Sequence, residues 1–216
     1  MNFQTMMQQL FEAFGCTIQI FLLTLLFSLP LGLIIAFGRM SKYWLLRTIS
    51  KVYISILRGT PLMLQLLVVY FGPYYVFNAS LGREYRFPAV IIAFTLNYAA
   101  YFAEIYRAGI ESMPKGKYEA AKVLGFSRTQ TFFKIILPQV IKKILPPVTN
   151  ETITLVKDTS LAQVITVTEI FTKAQQIAAA KSNVMPLMVA GVFYYVFNFL
   201  VAFIMERVEK KLNYYR

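Results

Sequence analysis

The sequence contains no histidine and only one cysteine, Cys16, in 216 residues. Without histidine, the usual imidazole metal ligands and neutral-pH bases are missing. A lone thiol at the head of an apolar run excludes a disulfide framework or a thiol metal site within one chain. Charge is scarce as well: 15% of residues are charged, where ordinary soluble domains carry about a quarter. Acids are the scarcest, with ten Asp and Glu against 22 Lys and Arg, for a net charge of +12. No phosphate-binding loop is present. The nearest approach, Gly109 to Gly116-Lys117, has six intervening residues and is followed by Tyr118. The first fifteen residues hold Glu12 and no Lys or Arg, so a cleavable signal is not expected and the first apolar stretch stays in the mature protein.

What is abundant is apolar surface. Hydrophobic residues make up 57% of the chain and gather in long runs, more than a soluble core can absorb. The basic residues fall between those runs, where membrane topology explains them; a nucleic-acid domain would cluster them on one face among stacking aromatics. About twenty residues cross a hydrocarbon core at 1.5 Å each. On that basis spans are expected at 16–38, 52–77, 87–106 and 185–205. The segment 148–171 has the length of a fourth span but carries Asn150, Glu151, Lys157 and Asp158.

Charge alternation argues for that polar span. Seventeen Lys and Arg lie between the first two spans (counting Arg58, early in the second), in the 107–143 segment and after the last span; the other three segments hold only Arg83, Arg86, Lys173 and Lys181. By the positive-inside rule this needs five spans, N-terminus outside and C-terminus in the cytoplasm. The expected architecture is therefore all-α and integral to the membrane. An extracytoplasmic segment covers 1–15, a transmembrane domain 16–206 and a basic cytoplasmic tail 207–216.

The cytoplasmic segment 107–143 is too long for a plain connection. Pro114 and Gly116 mark a turn, and 118–125 is expected as a short helix stopped by Gly125. Ser127 is placed to cap a second helix ending before Pro138, with Phe132, Ile135 and Ile136 on one stripe. By residues alone this is an amphipathic pair on the membrane surface. Yet Glu119-Ala120-Ala121, three residues, Gly125, nine residues and then Ile135-Ile136-Leu137-Pro138 resembles the EAA loop of bacterial ABC importer permeases. The likeness continues in Arg58-Gly-Thr-Pro61 with Gln65, in the stretch from Asn97 to Gly109, and in Lys157-Asp-Thr-Ser-Leu161. These are similar to the polar amino acid branch, which includes arginine, histidine and glutamine permeases.

The resemblance implies a type I importer permease fold, with Glu119, Ala120, Ala121 and Gly125 forming a coupling helix that docks on an ABC ATPase dimer. ATP and Mg would sit on that partner, and this chain would hold no cofactor, no metal and no catalytic residue. It also implies an extracytoplasmic solute-binding protein and a bacterial inner-membrane location. Five spans are too few to enclose a path, so a second permease copy or a close paralogue is expected opposite this one.

Ionisable groups at membrane depth are usually functional. Asn97 and Glu104 are seven residues apart and share a helix face, with Tyr101 between; Glu151 and Asp158 share another. Depth places Asn97 level with Asp158, and Glu104 with Glu151 ~10 Å nearer the cytoplasm. The upper layer, with Tyr101, Thr159 and Ser160, is expected to hold the amino acid. Its acids favour a cationic side chain such as arginine, against a neutral polar one such as glutamine or cystine. In the competing structural reading Lys157 neutralises Glu151 or Asp158, and Glu104 braces Arg107. Gly59-Thr60-Pro61 is either a simple kink or a gate. An intramembrane enzyme and a passive channel are the rival classes.

Overall fold

The computed structural model describes residues 2–79 and 81–212, and among these every regular element is helical. Arg216, counted above with the cytoplasmic basic residues, lies outside them, as does the rest of 213–216 in the expected tail.

Helix α1 (Phe3–Arg39) runs for 37 residues, about 55 Å at the α-helical rise and well beyond one hydrocarbon thickness. It starts at Phe3, not at Cys16. Met6, Leu10 and Ala13 extend the same buried stripe as Thr17, Ile20, Thr24, Ser28, Gly32 and Ala36. The leading segment is therefore the first turns of the span helix, and Met6 and Leu10 form a second core with Ile170, Ala174 and Ile177.

Helices α2 (Trp44–Gly59) and α3 (Leu62–Phe77) replace the single expected span 52–77, and they meet at 110°. Pro61 forces the residue before it out of helical geometry, and Thr60 is extended (φ −124°, ψ 148°). Helix α2 is exposed along most of its length, burying only Ile54.

Helix α4 (Arg86–Glu111) is the centre of the molecule, packed against α1, α2, α3 and α7. In lipid, water drives no helix association, so close contact needs small residues. The α1–α4 crossing supplies them. A Cβ at Gly32 would stand 2.9 Å from Phe102 Cβ, 3.1 Å from the Ala99 carbonyl and 3.2 Å from the Ala103 nitrogen. Around this seam Phe21, Phe94, Tyr98, Phe102, Leu155 and Val156 form the main core.

The connection after α4 forms α5 (Lys115–Val123) and α6 (Arg128–Gln130), a π-helical turn (Thr131–Ile136), and α7 (Leu137–Asp158). The second helix does not stop at Pro138, as its sequence suggests. Pro138 offers no N–H to the carbonyl of Lys134, and the widened π turn lets the chain run on. The Gln139 side chain donates to the Ile135 carbonyl at 2.7 Å within that turn. The expected fourth span, 148–171, is therefore shifted back along the chain. Helix α7 ends at Asp158, a 3₁₀ segment (Thr159–Ile165) follows, and a turn through Thr166 (φ 58°) leads to α8 (Ile170–Lys181). Helix α9 (Met185–Leu212) closes the fold against α7 and α8.

Among the described residues, α1, the 83–111 stretch and α9 are long and apolar enough to cross a membrane. The bent α2–α3 pair passes that test only taken together, and α7 has the length without the apolarity.

Candidate functional site

The break at Gly59-Thr60-Pro61 leaves the last carbonyls of α2 without helical partners, and polar side chains supply them. The Thr60 hydroxyl donates to the Ile56 carbonyl at 2.8 Å. Gln65 Nε2 reaches the carbonyls of Leu57 (2.9 Å) and Thr60 (3.0 Å) and the Thr60 hydroxyl (2.8 Å). Asn97 Nδ2 crosses from α4 to donate to the Leu57 carbonyl (3.0 Å) and to Gln65 Oε1 (2.9 Å). Asn97 is buried and committed to this bracket rather than paired with Asp158. The partner of Asp158 is Tyr98, whose hydroxyl donates to the carboxylate at 2.7 Å. The expected upper layer is thus displaced by one residue on α4, about 100° around the helix.

The bracket presents Arg58 to a cavity of about 420 Å³, lined also by Tyr101, Glu104, Gly109, Lys143 and Glu151. The Arg58 guanidinium lies over the Tyr101 ring, 5.2 Å from its centroid, within cation–π range. Three expected site residues, Tyr101, Glu104 and Glu151, therefore share one cavity. Asn97, Asp158, Thr159 and Ser160 do not line it. Thr159 is buried; its hydroxyl donates to the Val156 carbonyl at 2.8 Å and meets the Tyr194 hydroxyl at 3.4 Å. The Ser160 hydroxyl donates to the Lys157 carbonyl.

The two acidic helices differ in their ion pairing. Glu104 is bound by Arg107, which also binds Glu111, so α4 carries its own compensated cluster. Among the described residues neither Glu151 nor Asp158 has a salt-bridge partner, and Lys157 is exposed. Two half-buried carboxylates thus stand two turns apart on α7 without a salt bridge among the described residues, although Arg58 and Lys143 line the cavity of Glu151.

The loop residues sit on α5. It begins at Lys115, earlier than 118, so Glu119 falls in mid-helix rather than at its N-terminus. Ala121 is buried; Glu119, Ala120 and Gly125 are exposed. Gly125 takes φ +79°, and the Phe126 and Gly125 amides donate to the Ala121 and Lys122 carbonyls, a left-handed stop that glycine adopts without strain. Ser127 and Gln130 then cap each other's backbone amides. At the tip, Val123 and Leu124 are 87% and 73% exposed, an apolar pair with no intrachain cover.

Sequence reasoning missed Arg58, Tyr98 and Glu169. Arg58 precedes the Gly-Thr-Pro break and Tyr98 is Asn97's neighbour, so both carried a positional signal. Glu169, fully buried, caps α8. It accepts from the amides of Phe171 (2.9 Å) and Thr172 (2.7 Å) and from the hydroxyls of Thr172 (3.0 Å), Tyr194 (2.8 Å) and Thr17 (3.4 Å). Its signal was an acid just ahead of a helical pattern.

A broken second span, a cavity beside it lined by acids and bases and a loop helix with an exposed apolar tip are the features to set beside known membrane proteins. Residues 28–214 match the family described as binding-protein-dependent transport system inner membrane component, and the chain belongs to that family. It is 40% identical to the L-cystine transport system permease protein TcyB of Bacillus subtilis (strain 168), over 92% of this chain and 84% of that protein. To the arginine transport system permease protein ArtQ of the same organism it is 37% identical, over 94% and 91% respectively. Among solved structures, the crystal structure of an amino acid ABC transporter with histidines superposes with a TM-score of 0.87 at 29% identity, covering 98% of this chain and 99% of that one.

Proposed function

We propose that this chain is the membrane-spanning subunit of an ATP-driven importer that carries a polar L-amino acid with a basic side chain, such as arginine, by alternating access. The amino acid class follows the cystine and arginine relatives and the transporter with histidines. The observation that carries the basic side chain is the pair of half-buried α7 carboxylates, Glu151 and Asp158, with no salt-bridge partner among the described residues. Partly desolvated carboxylates without a salt bridge favour a cationic cargo, because the charge-assisted bond replaces hydration lost on burial. Tyr101 adds an aromatic face suited to a guanidinium, the role Arg58 already plays against it.

A neutral polar cargo such as glutamine or cystine is the second reading. It is favoured by Arg58 and Lys143 in the same cavity, which offset its acids. In that case Arg58 would meet the carboxylate of the amino acid, and Glu151 its ammonium group.

The basic segments support an orientation with the N-terminus outside and the C-terminus cytoplasmic. The loop carrying Glu119, Ala120, Ala121 and Gly125 then faces the cytoplasm, and Val123 and Leu124 offer a contact for an ABC ATPase dimer that binds ATP and Mg. The remaining partners in this reading are a second permease copy or a paralogue, an extracytoplasmic solute-binding protein and the bacterial inner-membrane lipid.

The test is uptake of arginine and glutamine into vesicles carrying the permease with its ATPase, for wild type and for Asp158→Asn and Glu151→Gln. Loss of one charge-assisted bond, about 1.5–3 kcal/mol, weakens arginine's apparent affinity roughly 10- to 100-fold and leaves glutamine little changed. An unchanged arginine preference in both variants refutes the electrostatic account. Flux that persists without ATP refutes the importer reading in favour of a channel.

A further inference from the structure

The cavity beside the break in the second span, about 420 Å³, is the size of a small-molecule pocket, about 300–1,000 Å³, and its lining carries both signs of charge. Glu104 is already bound by Arg107 on its own helix, which leaves Glu151 to face Arg58 and Lys143. Among the lining groups without a salt bridge, cations therefore outnumber acids. We propose that Arg58 reads the α-carboxylate of the cargo, whatever its side chain, so that this cavity selects α-amino acids as a class. The proposal rests on the reading of the chain as an amino acid importer, and not on the choice between a basic and a neutral cargo.

Three observations single out Arg58. First, its backbone is fixed and its side chain is not. The Leu57 carbonyl just before it accepts from Gln65 Nε2 (2.9 Å) and Asn97 Nδ2 (3.0 Å), and the Thr60 carbonyl two residues on accepts from Gln65 Nε2 (3.0 Å). The side chain itself is exposed and makes no salt bridge among the described residues. Second, the contact it does make is exchangeable. Its guanidinium lies 5.2 Å from the centroid of the Tyr101 ring, and a cation–π contact of an exposed side chain is weaker than a charge-assisted pair. An incoming carboxylate offers the guanidinium fork two parallel N–H···O bonds, which the ring does not supply. Lys143, in the same lining, is a point charge without that fork. Third, the cavity holds the complementary charge. Glu151 lines it with Arg58, so the anionic and cationic ends of an amino acid backbone each meet a group of opposite sign.

The test is calorimetric binding to the full chain purified with its ATPase partner, without a solute-binding protein. The probes are arginine, glutamine and agmatine, which is arginine without its carboxylate. Wild type is expected to bind arginine roughly 10- to 100-fold tighter than agmatine, the size of one charge-assisted bond. Arg58→Gln should weaken arginine and glutamine by that same factor and spare agmatine, whose retained binding shows that the variant is folded. Arg58→Lys keeps the charge but not the fork and should recover part of the loss. Equal binding of arginine and agmatine by wild type overturns the proposal. So does an Arg58→Gln variant that still prefers arginine to agmatine, in which case Lys143 is the carboxylate's partner. Loss of all three ligands together in that variant also overturns it, because Arg58 would then be structural. Should wild type bind glutamine as tightly as arginine, with Arg58→Gln weakening both alike, the proposal stands and only the basic side chain is refuted. A wild type that binds neither refutes the amino acid reading itself, and this proposal with it.

Discussion

Glu169→Ala is the substitution that most directly tests how the polar interior is held together. Glu169 lies fully buried at the junction of α1, α8 and α9, and no Lys or Arg pairs with it among the described residues. Its compensation comes from the first turn of α8, where the Phe171 and Thr172 amides point at the carboxylate, and from three hydroxyls on Thr17, Thr172 and Tyr194. Thr17 in turn accepts from the Ile170 amide at 3.2 Å. Alanine removes every one of these acceptors at once. Loss of an N-cap alone costs about 0.5–2 kcal/mol. Each buried donor left unsatisfied adds about 1–3 kcal/mol, and Thr17 and Thr172, both buried, supply the donors with least access to solvent. Water entering the vacated volume recovers part of this, so a net loss of about 3–5 kcal/mol is expected. For a chain of this length that lowers Tm by roughly 10 °C, at 2–4 °C per kcal/mol. Thermal unfolding of the detergent-solubilised permease, followed by intrinsic fluorescence or loss of the monodisperse peak, measures it. Glu169→Gln keeps one acceptor oxygen and should fall between wild type and alanine. An alanine variant that melts within about 2 °C of wild type refutes the keystone role, because it would show that the donors lose little when the carboxylate is removed.

Two further substitutions probe the packing and the turn. Gly32→Ala places a methyl against Phe102 Cβ and two backbone atoms of α4, none of which is the free end of a flexible side chain. The helices must separate, and a loss of about 1–3 kcal/mol in the same melting assay is expected; an unchanged Tm would show that the seam is looser than drawn. Thr166 is β-branched and exposed and holds φ 58°, where a Cβ crowds the backbone by roughly 1–2 kcal/mol. Thr166→Gly removes that strain and loses about 0.5–1 kcal/mol to backbone entropy, so Tm should rise slightly; a fall would mean that the threonine side chain holds the turn.

How far the site was legible depends on distance along the chain. The Gly125 stop and the Ser127 cap are decided within a few residues, and both stand where local chemistry places them. The Glu104–Arg107 brace is a three-residue spacing and was equally readable. The break at Pro61 was readable as a break, but its 110° angle was not, since the angle depends on Gln65 and Asn97 meeting the same carbonyl from different helices. That meeting is also why Asn97 was expected opposite Asp158 and Tyr98, which Asp158 actually meets, was overlooked. Periodicity states which residues of one helix share a face, and it is silent on which face the next helix covers.

From composition, hydropathy and short motifs the sequence by itself determined a helical membrane protein, its loop signature and the residue types at its polar depths. All of these are properties of single segments, fixed by hydration and by backbone geometry over a few residues. Only the tertiary structure decided which acids are compensated. Glu104 found its partner on its own helix and Glu169 found donors from three, while Asp158 received only the Tyr98 hydroxyl and Glu151 shares a cavity with Arg58 and Lys143 without a salt bridge among the described residues. The reason is that compensation is a matter of a few ångströms between helices distant in sequence, and the crossing of α1 and α4 at Gly32 and the break at Pro61 set those distances.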